Sequence, residues 1–373
     1  MRYYLIAGEA SGDLHASNLM KELKKKDPSA IFRCWGGDMM QQQGGELVRH
    51  YRDLAFMGFL EVVTHLKEIM GNLKVCEKDL LNFAPDVLIL VDYPGFNLRI
   101  AGFAHKHGIR VFYYISPQLW AWRSSRVKLI KKFVEHMFVI LPFEKEFYVG
   151  YDYPVDFVGH PLLDVINEKM PLQSKDEFLS TNGLSGDPII ALLPGSRKME
   201  INKILRIMIS MVPHFNGYQF VVAAAPSIPE NFYNEIIKGT SVKILKNQTY
   251  DLLKHSIATL VTSGTATLES ALMGVPQVVC YKGNFISFAI AKKIVHVSHI
   301  SLVNLIAGKS IVKELIQQNL TVANLIEELN IILYNSEIQD RIMENYKQLV
   351  KLLGGEGASE RTAALIIQYL SKN

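Results

Sequence analysis

Cysteine is scarce: Cys34, Cys76 and Cys280 are the only three in 373 residues, odd in number and far apart. That spacing excludes a disulfide framework and a cysteine-held zinc site, and suits thiols kept reduced. Long apolar runs are missing too. The first one breaks at Glu9, so no secretory leader is expected, and no uninterrupted stretch is long enough to span a bilayer. Nor is charge of one sign in excess. A net charge of +4 is too slight to point to nucleic acid. The chain is therefore expected to be cytoplasmic and at most attached to a membrane surface.

Several catalytic signatures are absent as well. The stretch Gly8-Glu9-Ala10-Ser11-Gly12-Asp13 is one residue short of a P-loop between its glycines and has no lysine, which counts against ATPase chemistry. No dinucleotide-type glycine fingerprint follows the first apolar run, and no serine-hydrolase elbow occurs. No two aspartates flank a single residue, and the histidines lack ligand spacing, so no metal or other cofactor is expected.

What the chain has is 49% apolar residues, ample for a core, arranged with a regular alternation. Short β-branched or aromatic runs ("RYYLIAG", "DVLILVDY", "IRVFYYIS", "PIIALLPGS", "YQFVVAAAP", "IATLVTSG") alternate with segments of helical period. Many are apolar on both faces, as buried parallel strands are. Residues 161–187 carry prolines, glycines and charges but no strand. The expectation is α/β: two doubly wound Rossmann-like domains, with parallel sheets facing across a cleft. Their spans are 1–165 and 175–345. Helices over 346–373 either return to the first domain or pair with a partner chain, which leaves a homodimer open.

Four strand exits carry chemistry-bearing side chains. After the first strand come Glu9, Ser11 and Asp13; Asp13 reads as the N-cap of the next helix, leaving Glu9 and Ser11 for a ligand. Asp92 ends "LILVD", where partial burial would raise a carboxylate toward a general base, although an aspartate before Tyr-Pro-Gly also caps turns. "LLPGSRKMEI" sets Gly195, Ser196 and Arg197 before a helix. That suits a phosphate, and equally a capped helix with a surface arginine. "SGTATLES" repeats the pattern with Ser263, Gly264, Thr265 and Thr267, and Glu269 in the first turns suits a ribose hydroxyl, or equally complements the helix dipole. Together the last two loops point to a nucleoside diphosphate. Without a metal, Arg197 and helix dipoles would stabilise the leaving diphosphate.

Two further stretches read as a lipid-facing surface or as core. Phe59, Leu60, Val62 and Val63 belong to an apolar run, and Trp120, Trp122 and Arg123 lead into a basic helix.

These motifs stand in one order: "AGEASGD", "MGFLEV", "DYPGFN", "SPQLWAWR", "LPFEKEFY", "FVGHPL", "LLPGSR", "SGTATLES" and "NLIAGKSIVKELIQ". In that order, over nearly the whole chain, the sequence resembles the lipid-A-disaccharide synthase family, bacterial glycosyltransferases of the GT-B fold. The resemblance implies an inverting, metal-independent transfer. The donor would be UDP-diacylglucosamine and the acceptor lipid X (diacylglucosamine 1-phosphate), at the anionic inner-membrane face. It implies Asp92 as base, Glu9 and Ser11 in an essential loop, Arg197, Ser263, Gly264, Thr265, Thr267 and Glu269 on UDP, and a functional Asn304. One departure is Gly95, where the family often has a second Asp. The alternatives are a UDP-sugar epimerase, a transferase to another lipid-linked sugar, or a binding module without catalysis.

Overall fold

The computed structural model describes residues 1–53, 66–121, 124–283 and 298–372. The chain divides into two compact units, Met1–Asp164 with the chain from Leu353 onward, and Val165–Leu352.

The first unit is built on seven strands: β1 Arg2–Ala7, β2 Ile31–Gly36, β3 Gly45–His50, β4 Val87–Val91, β5 Val111–Tyr114, β6 His136–Val139 and β7 Asp156–Phe157. They are parallel, in the order β3-β2-β1-β4-β5-β6-β7. The second unit has β8 Ile189–Leu193, β9 Gln219–Ala224, β10 Lys243–Lys246, β11 Ser256–Thr262, β12 Gln277–Tyr281 and β13 Lys313–Ile316. These too are parallel, ordered β10-β9-β8-β11-β12-β13. Each sheet winds outward both ways from a central pair, β1–β4 and β8–β11. A crevice opens at such a reversal because the two flanking loops leave on opposite faces.

The central strands are apolar throughout because both faces are covered: every residue of β4 and β8 is buried. The edge strands β3 and β13 were not visible as apolar runs. Solvent reaches them, and "GELVRH" and "KELI" carry charges where central strands carry valine and isoleucine. The last helix, Ala358–Leu370, belongs to the first unit and packs against helix Ala10–Lys26. Asp164 caps it, accepting from Gly357 N at 2.6 Å and Ser359 N at 2.9 Å.

Asp13 departs from expectation. The helix Ala10–Lys26 starts one turn earlier, with Glu9 as N-cap, so Asp13 lies inside it. Its buried carboxylate instead caps the neighbouring helix Asp38–Gln42, accepting from Gly37 N at 2.8 Å and from Met39 N and Met40 N at 3.1 Å. Asp13→Ala strands these donors and is expected to lower the unfolding free energy by about 2–4 kcal/mol, read from urea denaturation. A loss within experimental error would mean that water replaces the carboxylate.

Candidate functional site

The first site grows from the register of β1 on β4. Ala7 lies opposite Val91, so the loops beginning at Gly8 and Asp92 leave the sheet side by side at the reversal. A side chain at Gly8 would overlap the Tyr93 ring, so what approaches this glycine closely is Tyr93. Glu9 and Ser11 are exposed at the mouth of the turn.

Asp92 and Tyr93 both adopt left-handed backbone, with φ of 44° and 48°. Such a conformation costs a non-glycine residue on the order of 1 kcal/mol or more, and tertiary bonds hold it. The Asp92 carbonyl accepts from Asn97 Nδ2 at 2.7 Å and also from the Tyr113 hydroxyl. Asn97, fully buried, is a residue the sequence reading passed over; only its place in "DYPGFN", five after Asp92, hinted at a turn. The half-buried Asp92 carboxyl titrates near 6, raised first by burial and then by the Glu9 charge, against a lowering bond from the Tyr93 backbone. Glu9 is thus close enough to act on Asp92 electrostatically. A side chain at Gly95 would meet nothing within 4 Å, so packing does not explain the glycine there.

Trp120 lies further along the loop that follows β5, the strand paired with β4. Its indole donates to Glu144 Oε1 at 3.3 Å and its ring packs edge-on to Phe143. Burial pushes Glu144 up to about 7. Trp122, Arg123, Phe59, Leu60, Val62 and Val63 lie outside the described residues.

The second unit repeats the architecture. Leu193 of β8 lies opposite Val261 of β11, so Gly195-Ser196-Arg197 and Ser263–Thr267 leave side by side at the second reversal. Gly195 has φ 106°, and a Cβ there would stand 2.6 Å from Glu200 Oε2. Arg197 is the exposed N-cap residue of helix Lys198–Ile209, its side chain taking no part in capping. Glu200, also missed in the sequence, lies behind it. Burial raises its pKa and the Arg197 charge partly offsets that.

Gly264 starts the helix Thr265–Leu272 at φ 154° and ψ −163°, a region essentially reserved for glycine. Ser196, Gly264 and Thr265 are exposed. Thr267 is buried and its hydroxyl donates to the Gly264 carbonyl at 2.8 Å. Ser263 Oγ donates to Ile300 O at 2.7 Å. Glu269 accepts from Tyr250 OH at 2.8 Å, and burial raises its pKa. Tyr250 also lines a groove of about 540 Å³ with Asn247, Gln248 and Gln173. Asn304 is fully buried, not facing this surface. Its amide is spent on Ile311 N, Val312 N, Val312 O and the Glu314 carboxylate.

The family model described as lipid-A-disaccharide synthetase matches residues 3–368. A lipid-A-disaccharide synthase of Trichlorobacter lovleyi is 37% identical, covering 100% of this chain and 98% of that protein. One from Syntrophus aciditrophicus is 38% identical over 99% and 98% of the two chains. Among solved structures, UDP-GlcNAc 2-epimerase from Neisseria meningitidis, bound to UDP-GlcNAc, superposes with a TM-score of 0.69 at 16% identity, covering both chains fully. The calicheamicin glycosyltransferase gives 0.63 at 16% identity, covering 100% of this chain and 99% of that one. At such identities these two structures establish the fold alone, and the fold hosts both transferases and epimerases. Among the described residues no helix is long and apolar enough to cross a membrane.

Proposed function

Since the chain belongs to the lipid-A-disaccharide synthase family and is a glycosyltransferase of GT-B architecture, we propose that it joins UDP-diacylglucosamine to lipid X with inversion and without a metal ion. The products are UDP and a tetra-acylated disaccharide 1-phosphate. Asp92 takes the proton from the acceptor's primary hydroxyl. The oxygen bonds to the anomeric carbon as the bond from that carbon to the diphosphate oxygen breaks, through an oxocarbenium-like state.

The observation that carries this reading is Asp92 itself. Its carboxyl, titrating near 6 at a strand reversal, is ionised at neutral pH yet basic enough to accept a proton. Arg197 and the start of the Gly264 helix offset the charge of the leaving diphosphate. Glu269, bonded to Tyr250 of the neighbouring groove, takes a ribose hydroxyl of the nucleoside. Because both substrates are acylated, the work is placed at an anionic membrane surface. The exposed Lys128, Lys131 and Lys132 on helix Val127–Phe133 support that placement.

Incubating the protein with donor, with and without lipid X, tests the reading. UDP release is expected only when both are present. Conversion of the donor sugar without acceptor would select the epimerase reading, and no turnover with any donor would select a binding module.

A further inference from the structure

The Gly264 turn is anchored from outside itself, by a carboxylate that the proposed chemistry does not use. Ser263 Oγ gives its hydrogen to the Ile300 carbonyl at 2.7 Å. That carbonyl shares a peptide plane with Ser301 N–H, which donates to Glu314 Oε1 at 3.0 Å. On the preceding plane, Ile300 N–H donates to Glu314 Oε2, also at 3.0 Å. Ser301 Oγ at 2.7 Å and Asn304 Nδ2 at 2.9 Å complete the shell of Oε1. Asn304 is itself locked by Ile311 and Val312. Glu314 is held by strand pairing, β13 on β12, with Val279 opposite it.

The geometry has two consequences. A peptide whose N–H is bound by a carboxylate has a more polarised carbonyl, so the Ile300 oxygen holds Ser263 more firmly. Ser263 stands directly before Gly264, whose φ of 154° suits glycine, and fixes the near side of a turn that Thr267 Oγ1 holds on the far side through the Gly264 carbonyl. With the Ser263 hydrogen spent on Ile300, a phosphate on this turn must be met by the backbone N–H groups that Ser263 aims.

We propose that Glu314 is a positioning residue for the donor's diphosphate, acting through the Ile300–Ser301 peptide and Ser263 on the Gly264 turn. The inference rests on the reading of Gly264–Thr267 as the diphosphate site. It also accounts for Asn304: a buried amide that keeps Glu314 in place, not a ligand contact.

Glu314→Gln tests it in the full chain, because the new amide N–H₂ must face a donor that the carboxylate accepted. UDP affinity by calorimetry is expected to fall about tenfold, with donor KM raised and acceptor KM unchanged. Ser263→Ala is expected to act similarly. The double variant should be no worse than the weaker-binding single, since both cut one relay. Effects that multiply in the double variant, or a folded Glu314→Gln protein within about twofold of wild-type UDP affinity, overturn the relay. If Glu314→Gln does not fold, Ser263→Ala carries the test alone, and unchanged donor KM overturns the proposal. Gly264→Val separates the two readings. If it abolishes UDP binding while Glu314→Gln does nothing, only the relay fails; if it leaves UDP binding intact, the diphosphate site is wrong and the relay falls with it.

Discussion

Asp92→Asn is expected to lower kcat by about two to four orders of magnitude, the usual worth of a positioned general base, while UDP affinity stays nearly intact. Asparagine matches aspartate in size and tolerates left-handed backbone, so the bonds from Asn97 and Tyr113 to the 92 carbonyl should persist. What disappears is the proton acceptor. In the wild type, a base titrating near 6 gives kcat an acid limb, with activity falling as pH drops below that value.

The stability effect has the opposite sign. A carboxyl raised from 3.8 to about 6 contributes stability that is fully present below pH 3.8 and lost as pH rises through 6. Ionised Asp92 is thus a cost at neutral pH. Asp92→Asn should melt higher at pH 7 and show no gain at pH 3, measured by thermal unfolding. A variant with near wild-type turnover would remove Asp92 as base, and one less stable at pH 7 would contradict its burial as a charge.

Arg197→Ala is expected to weaken UDP binding by roughly tenfold to a hundredfold, the range of a charge-assisted bond to phosphate. Arg197 is exposed and does not cap its own helix, so the fold should be untouched. The diphosphate gains charge as the glycosidic bond breaks, so kcat at saturating donor should fall too. Arg197→Lys keeps the charge but loses the planar fork and should recover only part of the affinity. Rising salt should weaken wild-type binding more steeply than that of the alanine variant. Unchanged UDP affinity in Arg197→Ala would dismiss its role.

Much of the molecule was legible from residue order. The buried strands announced themselves as apolar runs because central parallel strands have no solvent face: "VLILV" and "IIALL" are β4 and β8 entire. The helical reading of 346–373 is met by the end of Ser336–Leu352 and by Ala358–Leu370. Two of the four edge strands, β3 and β13, were not legible, because they bury too little to need an apolar code. Asp13 misled for a related reason. An aspartate at a strand-to-helix turn serves whichever helix start lies within reach, and the nearer one in space was not its own.

Residue order by itself therefore determined the class of fold, the strand exits and the types of side chain they carry, since burial and turn chemistry are local demands. Which exits become neighbours was decided only by the three-dimensional pairing of β1 with β4 and β8 with β11, each across a long stretch of chain. Strands buried on both faces, such as β4 and β8, carry no alternation that names their neighbour or register. Other long-range pairings brought the Tyr113 hydroxyl of β5 to the Asp92 carbonyl and, through β13 on β12, carried Glu314 to the peptide that anchors Ser263.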